Sequence, residues 1–229
     1  MKQPATIPVF ERFHLDYCCG GNRPLGESCA EKDIATSEVL AALAEATGKA
    51  RPAEDLSRAT PTELIRYIVE RHHAYVRGEL PHLQAMAERV ATKHGPAHPE
   101  ATLIQRNLAQ LADEILFHLD KEERILFPYI EGLQQSRENH AAPPSGCFGT
   151  VENPIRAMIH EHEGAATLLA EMRAITHGFA PWPEACPTTV GLYHGLDAFE
   201  RDLHRHVHLE NNLLFPKAIE LEKEVLVAQ

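Results

Sequence analysis

The sequence predicts an all-α protein, an antiparallel four-helix bundle preceded by a small helical module. Three observations carry this. Four long stretches, at about 61–93, 100–137, 153–177 and 185–224, repeat their apolar residues with a helical period. Breakers part them: Gly95-Pro96, Pro143-Pro144-Ser145-Gly146 and Pro181-Trp182-Pro183. No segment alternates apolar and polar residues for long enough to read as a strand. Helices of that length on modest loops pack antiparallel, and a bundle interior is the usual place for a metal site in such an architecture.

Residues 1–47 carry short apolar clusters, Val9, Phe10 and Phe13 and then Val39, Leu40 and Leu43, around the turn-rich Cys18-Cys19-Gly20-Gly21-Asn22-Arg23-Pro24. They read as the small helical module. Residues 48–60 are mostly small, charged or proline and suit a linker. Thr60-Pro61-Thr62-Glu63 then reads as a helix start, with Thr60 as cap, proline at the first helical position and Glu63 reaching back. Residues 61–229 form the bundle. Pro81, Pro128 and Pro216 fall in or near its helices and are expected to kink or end them, because proline lacks the amide proton and crowds the carbonyl four residues back.

The composition narrows the function. Hydrophobic residues make up 44% and charged residues 24%, ordinary for a globular chain of 229 residues. No apolar run is long enough to span a bilayer and the first ten residues do not read as a secretory signal, so a cytoplasmic protein is expected. A formal net charge of -11 disfavours nucleic acid and anionic lipid. Five cysteines, an odd number, do not form a disulfide framework, so their work is expected in redox or metal chemistry. The 15 histidines are the anomaly.

Two segments repeat. His118-Leu-Asp-Lys-Glu122 runs on to Leu126-Phe127-Pro128, and His206-Val-His-Leu-Glu210 runs on to Leu214-Phe215-Pro216. Four residues on a helix make about one turn, so each His and its Glu share a face. Two such pairs are what chance supplies in a chain this rich in both residues. Chance does not supply the shared Leu-Phe-Pro, or the acids Glu114 and Asp202 four residues before each His. A duplicated helix hairpin then calls for one further inward histidine on each partner helix, and His73 and His162 stand at matching distances upstream. The expected sets are His73 with His118 and Glu122, and His162 with His206 and Glu210.

Helical phase supports most of this choice. His162 lies on a stripe with Ile155, Met158, Ile159, Ala165 and Leu169, whereas His160 faces water. His118 shares a stripe with Leu111, Ile115 and Ile125, and His206 with Phe199, Leu203, Leu209 and Leu213, while His204 and His208 point away and are expected to be solvated. At the remaining position phase slightly favours His72 and hairpin spacing favours His73; His73 is taken and His72 stays the alternative. Four imidazoles and two carboxylates are too many for one tetrahedral zinc. Two octahedral irons bridged by Glu122, Glu210 and an oxygen atom would use all six and leave one coordination position open on each, where a small diatomic molecule could bind.

These residues resemble the repair-of-iron-centres family, hemerythrin-like di-iron proteins of bacteria. The marks are Asp16-Tyr17-Cys18-Cys19-Gly20-Gly21, His73 before Leu80-Pro81, the His118 to Pro128 segment, Glu161-His162, and His206 to Pro216 with Leu209-Glu210-Asn211-Asn212 inside it. The resemblance implies repair of iron–sulfur clusters damaged by nitric oxide or peroxide, with the di-iron centre as iron donor and damaged iron–sulfur proteins as partners. Two further readings stand beside it, a nitric oxide reductase and a gas or iron sensor. Cys18 and Cys19 are candidates to accept iron or reduce a partner. Glu114 and Glu161 are candidates for proton relay or for holding a ligand. Cys29, Cys147 and Cys186 receive no role, and the oligomeric state is open, a homodimer among the options.

Overall fold

In the computed structural model, which describes residues 6–18, 23–48 and 56–227, the chain is built from helices, with no strand among the described residues. The N-terminal module holds α1 (Ile7–Arg12), α2 (Leu25–Glu31) and α3 (Thr36–Gly48). Leu15, Cys29 and Val39 form its own small core. Four long helices come next. Three are interrupted by one wide, π-helical turn: α4 runs Pro61–Tyr67, turns through Ile68–His73 and continues over Ala74–His94. Next, α5 runs Pro99–Lys121, turns through Glu122–Leu126 and continues over Phe127–Asn139. The third, α6 (Glu152–Ile175), is regular. Last, α7 runs Pro187–Leu209, turns through Glu210–Leu214 and continues over Phe215–Val227. Helix α4 packs on α5 and α7, and α5 packs on α6. No helix among the described residues is long and apolar enough to cross a membrane.

The start of α4 is the capping box the sequence implies. Thr60 accepts the amide of Glu63 while a Glu63 carboxylate oxygen accepts the amide of Thr60 at 2.8 Å. None of the prolines ends its helix. Pro81 sits inside α4, and Pro128 and Pro216 open the α-helical stretches after the wide turns of α5 and α7. The carbonyls that these last two prolines leave unpaired, four residues back, belong to Arg124 and Asn212 inside those turns. There the hydrogen-bond ladder already runs to a longer period, so the rods continue.

The core is divided. One apolar cluster gathers Leu80, Leu83, Leu108, Leu111, Leu169 and Phe199; the other gathers Leu64, Ile68, Leu126, Ile155, Leu214 and Phe215. Where the two clusters meet, every long helix contributes buried polar side chains: His72 and His73, His118 and Glu122, His162, and His206 and Glu210. A layer rich in ionisable groups therefore crosses the bundle. Such a layer costs free energy unless its charges are neutralised in place, which is the first structural sign of a bound cation.

Candidate metal centre

The wide turns bring the site together. Each contains or borders a site residue: His73 closes the turn of α4, and Glu122 and Glu210 open those of α5 and α7. A π-helical turn holds one more residue than an α-turn, so it shifts the phase of the downstream helix by about a residue. The choice between positions 72 and 73 turns on this shift. Both side chains are buried, but His73 points Nε2 at the centre, whereas His72 turns Nδ1 to Asp202 at 3.1 Å. The His72 ring stacks on His206, with centroids 5.7 Å apart and planes 5° from parallel.

Four imidazole Nε2 atoms converge with two carboxylates. His73 Nε2 lies 3.1 Å from His206 Nε2, and His162 Nε2 lies 3.1 Å from His118 Nε2. The Oε2 of Glu122 faces both sides, 3.5 Å from His73 and 3.4 Å from His118. The carboxylate of Glu210 spans the gap, with Oε1 2.8 Å from His206 and Oε2 3.1 Å from His162. Two four-residue groups result, each able to hold a metal ion: His73, Glu122, His206 and Glu210, and His118, Glu122, His162 and Glu210. The pairing corrects the hairpin-by-hairpin sets expected from spacing. Histidines from different hairpins pair across the bundle axis, because the two mirrored hairpins face each other, and both carboxylates belong to both groups.

Whether these residues suit a metal can be judged from the carboxylates. Glu122 and Glu210 are fully buried, yet neither oxygen of Glu122 nor Oε2 of Glu210 accepts a well-formed hydrogen bond. A buried carboxylate without donors is costly. Burial first and the neighbouring Glu210 second push the Glu122 carboxyl up. Burial opposes the charge of Glu210 too, but His206, His162 and His73 outweigh it and hold its carboxyl well below the ordinary value. His73 is raised to about 10 because Glu122 and Glu210 overcome its burial, and His206 is lowered to about 4, mainly by burial. A cation between the two carboxylates relieves these conflicts together. The nitrogen and oxygen donors, with no thiolate, form a set that iron accepts.

Partners behind the imidazoles set their orientation. His73 Nδ1 meets Glu123 at 2.8 Å, and Glu123 also receives Arg77 at 3.1 Å. His118 Nδ1 meets Glu161 at 2.9 Å, and Glu161 is ion-paired with Lys121. That arrangement holds the Glu161 carboxyl down at about 2, with the His118 hydrogen bond as the largest cause. His162 Nδ1 meets the side-chain oxygen of Asn211 at 3.0 Å. Glu114 does not reach the imidazoles; it is exposed, takes a hydrogen bond from Gln110 at 2.9 Å, and lines a cavity of about 300 Å³ with Ile115, Phe117, His118, Lys121 and Glu161. The cavity leads from the surface to His118.

The N-terminal module lies against α7. Cys18 is buried, its amide and thiol both bonded to Asp16 Oδ1, and its carbonyl oxygen accepts Asn212 Nδ2 at 3.2 Å. Cys19, Gly20 and Gly21 lie outside the described residues, as do 49–55 of the expected linker. His208, expected in water, is buried under Tyr17, with Nδ1 3.4 Å from the Tyr17 carbonyl; burial lowers it to about 4. His204 is half-buried beside Glu11. Helical phase placed these two away from the centre correctly but could not reveal that the module covers that face. His160 is exposed as expected.

Residues 64–218 match the family described as Hemerythrin HHE cation binding domain, and residues 1–47 match the ScdA_N domain of unknown function. A protein of Pectobacterium carotovorum subsp. carotovorum called iron-sulfur cluster repair protein YtfE is 36% identical over 219 residues, covering 94% of this chain and 92% of that protein. The chain belongs to this iron–sulfur cluster repair family. Relatives with the same name are 36% identical in Musicola paradisiaca, over 94% of this chain and 91% of that protein, and 34% identical in Escherichia coli O157:H7, over 94% and 92%. The hemerythrin match spans all six converging residues, and the second match spans the module that carries Cys18 and Cys19. Sequence reasoning missed Glu123, Asn211 and Asn212 as supporting residues. Their positions beside Glu122 and Glu210 were the available signal.

Proposed function

We propose that this chain repairs iron–sulfur clusters damaged by nitrosative or oxidative stress, using two non-haem irons held in the bundle and donating iron to the damaged cluster. The observation that carries the reading is that Glu122 and Glu210 each belong to both four-residue groups, as bridging carboxylates would. In this reading His73 and His206 would hold one ion and His118 and His162 the other, with Glu122 and Glu210 shared between them. Bound there, the iron pair would supply open positions for a small ligand such as nitric oxide, and metal for transfer.

The chain's own residues prepare this chemistry. An imidazole binds metal through a bare nitrogen, so its proton must sit on the other one. Glu123, Glu161 and Asn211 each accept from an Nδ1–H and thereby leave Nε2 of His73, His118 and His162 free. Carboxylate bridges hold iron less tenaciously than thiolates and loosen when protonated, which suits a donor. The module of residues 1–47, joined by 48–60 to the bundle of 61–229, sets Cys18 against α7, and we assign to the thiolates of Cys18 and Cys19 the receipt of iron or contact with a client. Clients are iron–sulfur proteins, and the acidic net charge argues against nucleic acid. We place the protein in the cytoplasm.

The test is iron content and repair together. The purified chain should hold about two coupled irons and restore activity to an iron–sulfur hydro-lyase damaged by nitric oxide; Glu122→Gln and Glu210→Gln should each lose both properties. One zinc per chain, or equal repair by iron-free protein, would overturn the reading. Changing Cys18 and Cys19 together to Ala should leave iron content intact and lower repair, and undiminished repair would remove the module from the mechanism. The cavity leading to His118 favours a second reading, reduction of nitric oxide at the centre. Steady nitric oxide consumption with an electron donor, without iron transfer, would put it in place of the first.

A further inference from the structure

We infer that the two halves of the centre are unequal, and that the His73–His206 half gives up its iron first, past His206 and toward His72 and Asp202. The inference rests on the di-iron reading above and adds to it which ion is the cargo.

Support from behind distinguishes the halves. In the His118–His162 half both imidazoles are held at Nδ1, by Glu161 at 2.9 Å and Asn211 at 3.0 Å. In the other half only His73 is held, by Glu123 at 2.8 Å. The Nδ1 of His206 is sealed from solvent and makes no hydrogen bond, although the residue is completely buried. Such a partner fixes the ring and raises its basicity, and losing one typically costs about 10–100-fold in metal affinity. His206 is therefore the weakest-held of the four imidazoles.

The surroundings of His206 supply a way out. The ring of His72 lies parallel to it at 5.7 Å, and His72 is tethered through Nδ1 to Asp202 at 3.1 Å. Asp202 in turn lines a surface cavity of about 650 Å³ with Tyr67, Glu70, Arg71 and Tyr75. An ion released by rotation of His206 thus meets an imidazole, then two carboxylates, then solvent. The opposite cavity is lined by His160, Glu114 and Glu161 as well, but both imidazoles of that half are held at Nδ1. That cavity ends at His118, whose partner Glu161 is locked by Lys121, so that side admits a small ligand without loosening an imidazole.

The experiment uses the full-length chain loaded with iron, reduced without oxygen by dithionite, and challenged with a ferrous chelator. Two phases of equal amplitude are expected, separated by at least about tenfold. Asn211→Ala, which removes the support of His162, should accelerate only the slow phase and merge the two; Glu123→Gln should accelerate only the fast one. Release in a single phase, or an Asn211→Ala effect confined to the fast phase, overturns the inference. The position is read without any variant from crystals of half-depleted protein. Anomalous scattering at the iron edge should remain at His118 and His162, and iron retained at His73 and His206 would refute the assignment. A chain that never takes up more than one iron fails at loading, and that outcome counts against the di-iron reading itself.

Discussion

Replacing Glu122 by Leu should make the metal-free protein more stable and the iron-loaded protein less so. Glu122 is completely buried, both its carboxyl oxygens lack hydrogen-bond donors, and burial together with Glu210 pushes its carboxyl toward the neutral form. A buried polar group with no partner costs about 1–3 kcal/mol, and an apolar side chain of similar size does not carry that cost. Leucine at 122 would join Leu119 and Leu126, both buried on the same helix. The iron-free variant should therefore gain about 1–3 kcal/mol, at roughly 2–4 °C of Tm per kcal/mol for a chain of this size. Thermal denaturation of both proteins after chelator treatment, and again after iron addition, measures this. Added iron should raise the wild-type Tm, because a ligand bound by the native state alone stabilises it, and should leave Glu122→Leu unchanged, so the order of the two reverses. A metal-free variant less stable than metal-free wild type would refute the argument, because Glu122 would then be satisfied without a cation.

Thr60→Ala should cost about 0.5–2 kcal/mol in chemical denaturation through loss of the α4 cap, and an unchanged midpoint would deny the capping box a role. Glu161→Ala should weaken iron binding by about 10–100-fold in a chelator competition, since His118 loses the acceptor behind it; unaltered affinity would show that the ring is held by packing. Docking of the module should weaken at high pH. Burial opposes a charge on His204, but the hydrogen bond and charge of Glu11 outweigh it and raise its pKa above 6.5. That contribution is complete below 6.5 and is lost as pH rises through the raised value. Hydrogen exchange over residues 7–18, compared at pH 6 and pH 9, should show faster opening at pH 9, and Glu11→Gln should abolish the difference; the same pH response in that variant would remove His204 from the account.

Much of this was legible beforehand for identifiable reasons. The four rods derive from apolar periodicity, and their ends from Thr60-Pro61 and the Gly-Pro breaks, because these signals are local. The six converging residues were legible because the hairpin is duplicated, so each half checks the other. Pairing across the axis was not, since spacing along a chain does not say which helices face each other. Nor could the order of His72 and His73 be read, because the phase rule assumes an uninterrupted 3.6-residue period and the turn at Ile68–His73 breaks it. His208 failed for a different reason. Its cover is the Tyr17 segment, 191 residues away in sequence, and no helical wheel contains that information.

The three widened turns constrain how this bundle can change. Each holds one residue more than an α-turn, so trimming one amino acid from Glu122–Leu126 or Glu210–Leu214 would leave an unbroken α-helix whose downstream stripe keeps its direction. Phe127 and Ile130, or Phe215 and Ala218, would stay on the interior side, and the loss would fall on the side chains of the turn itself, Glu122 or Glu210 among them. Single-residue deletions there should thus spare the rods and cost the metal site, whereas a deletion within the regular α6, which has no surplus residue to give up, should turn everything after it by about 100°.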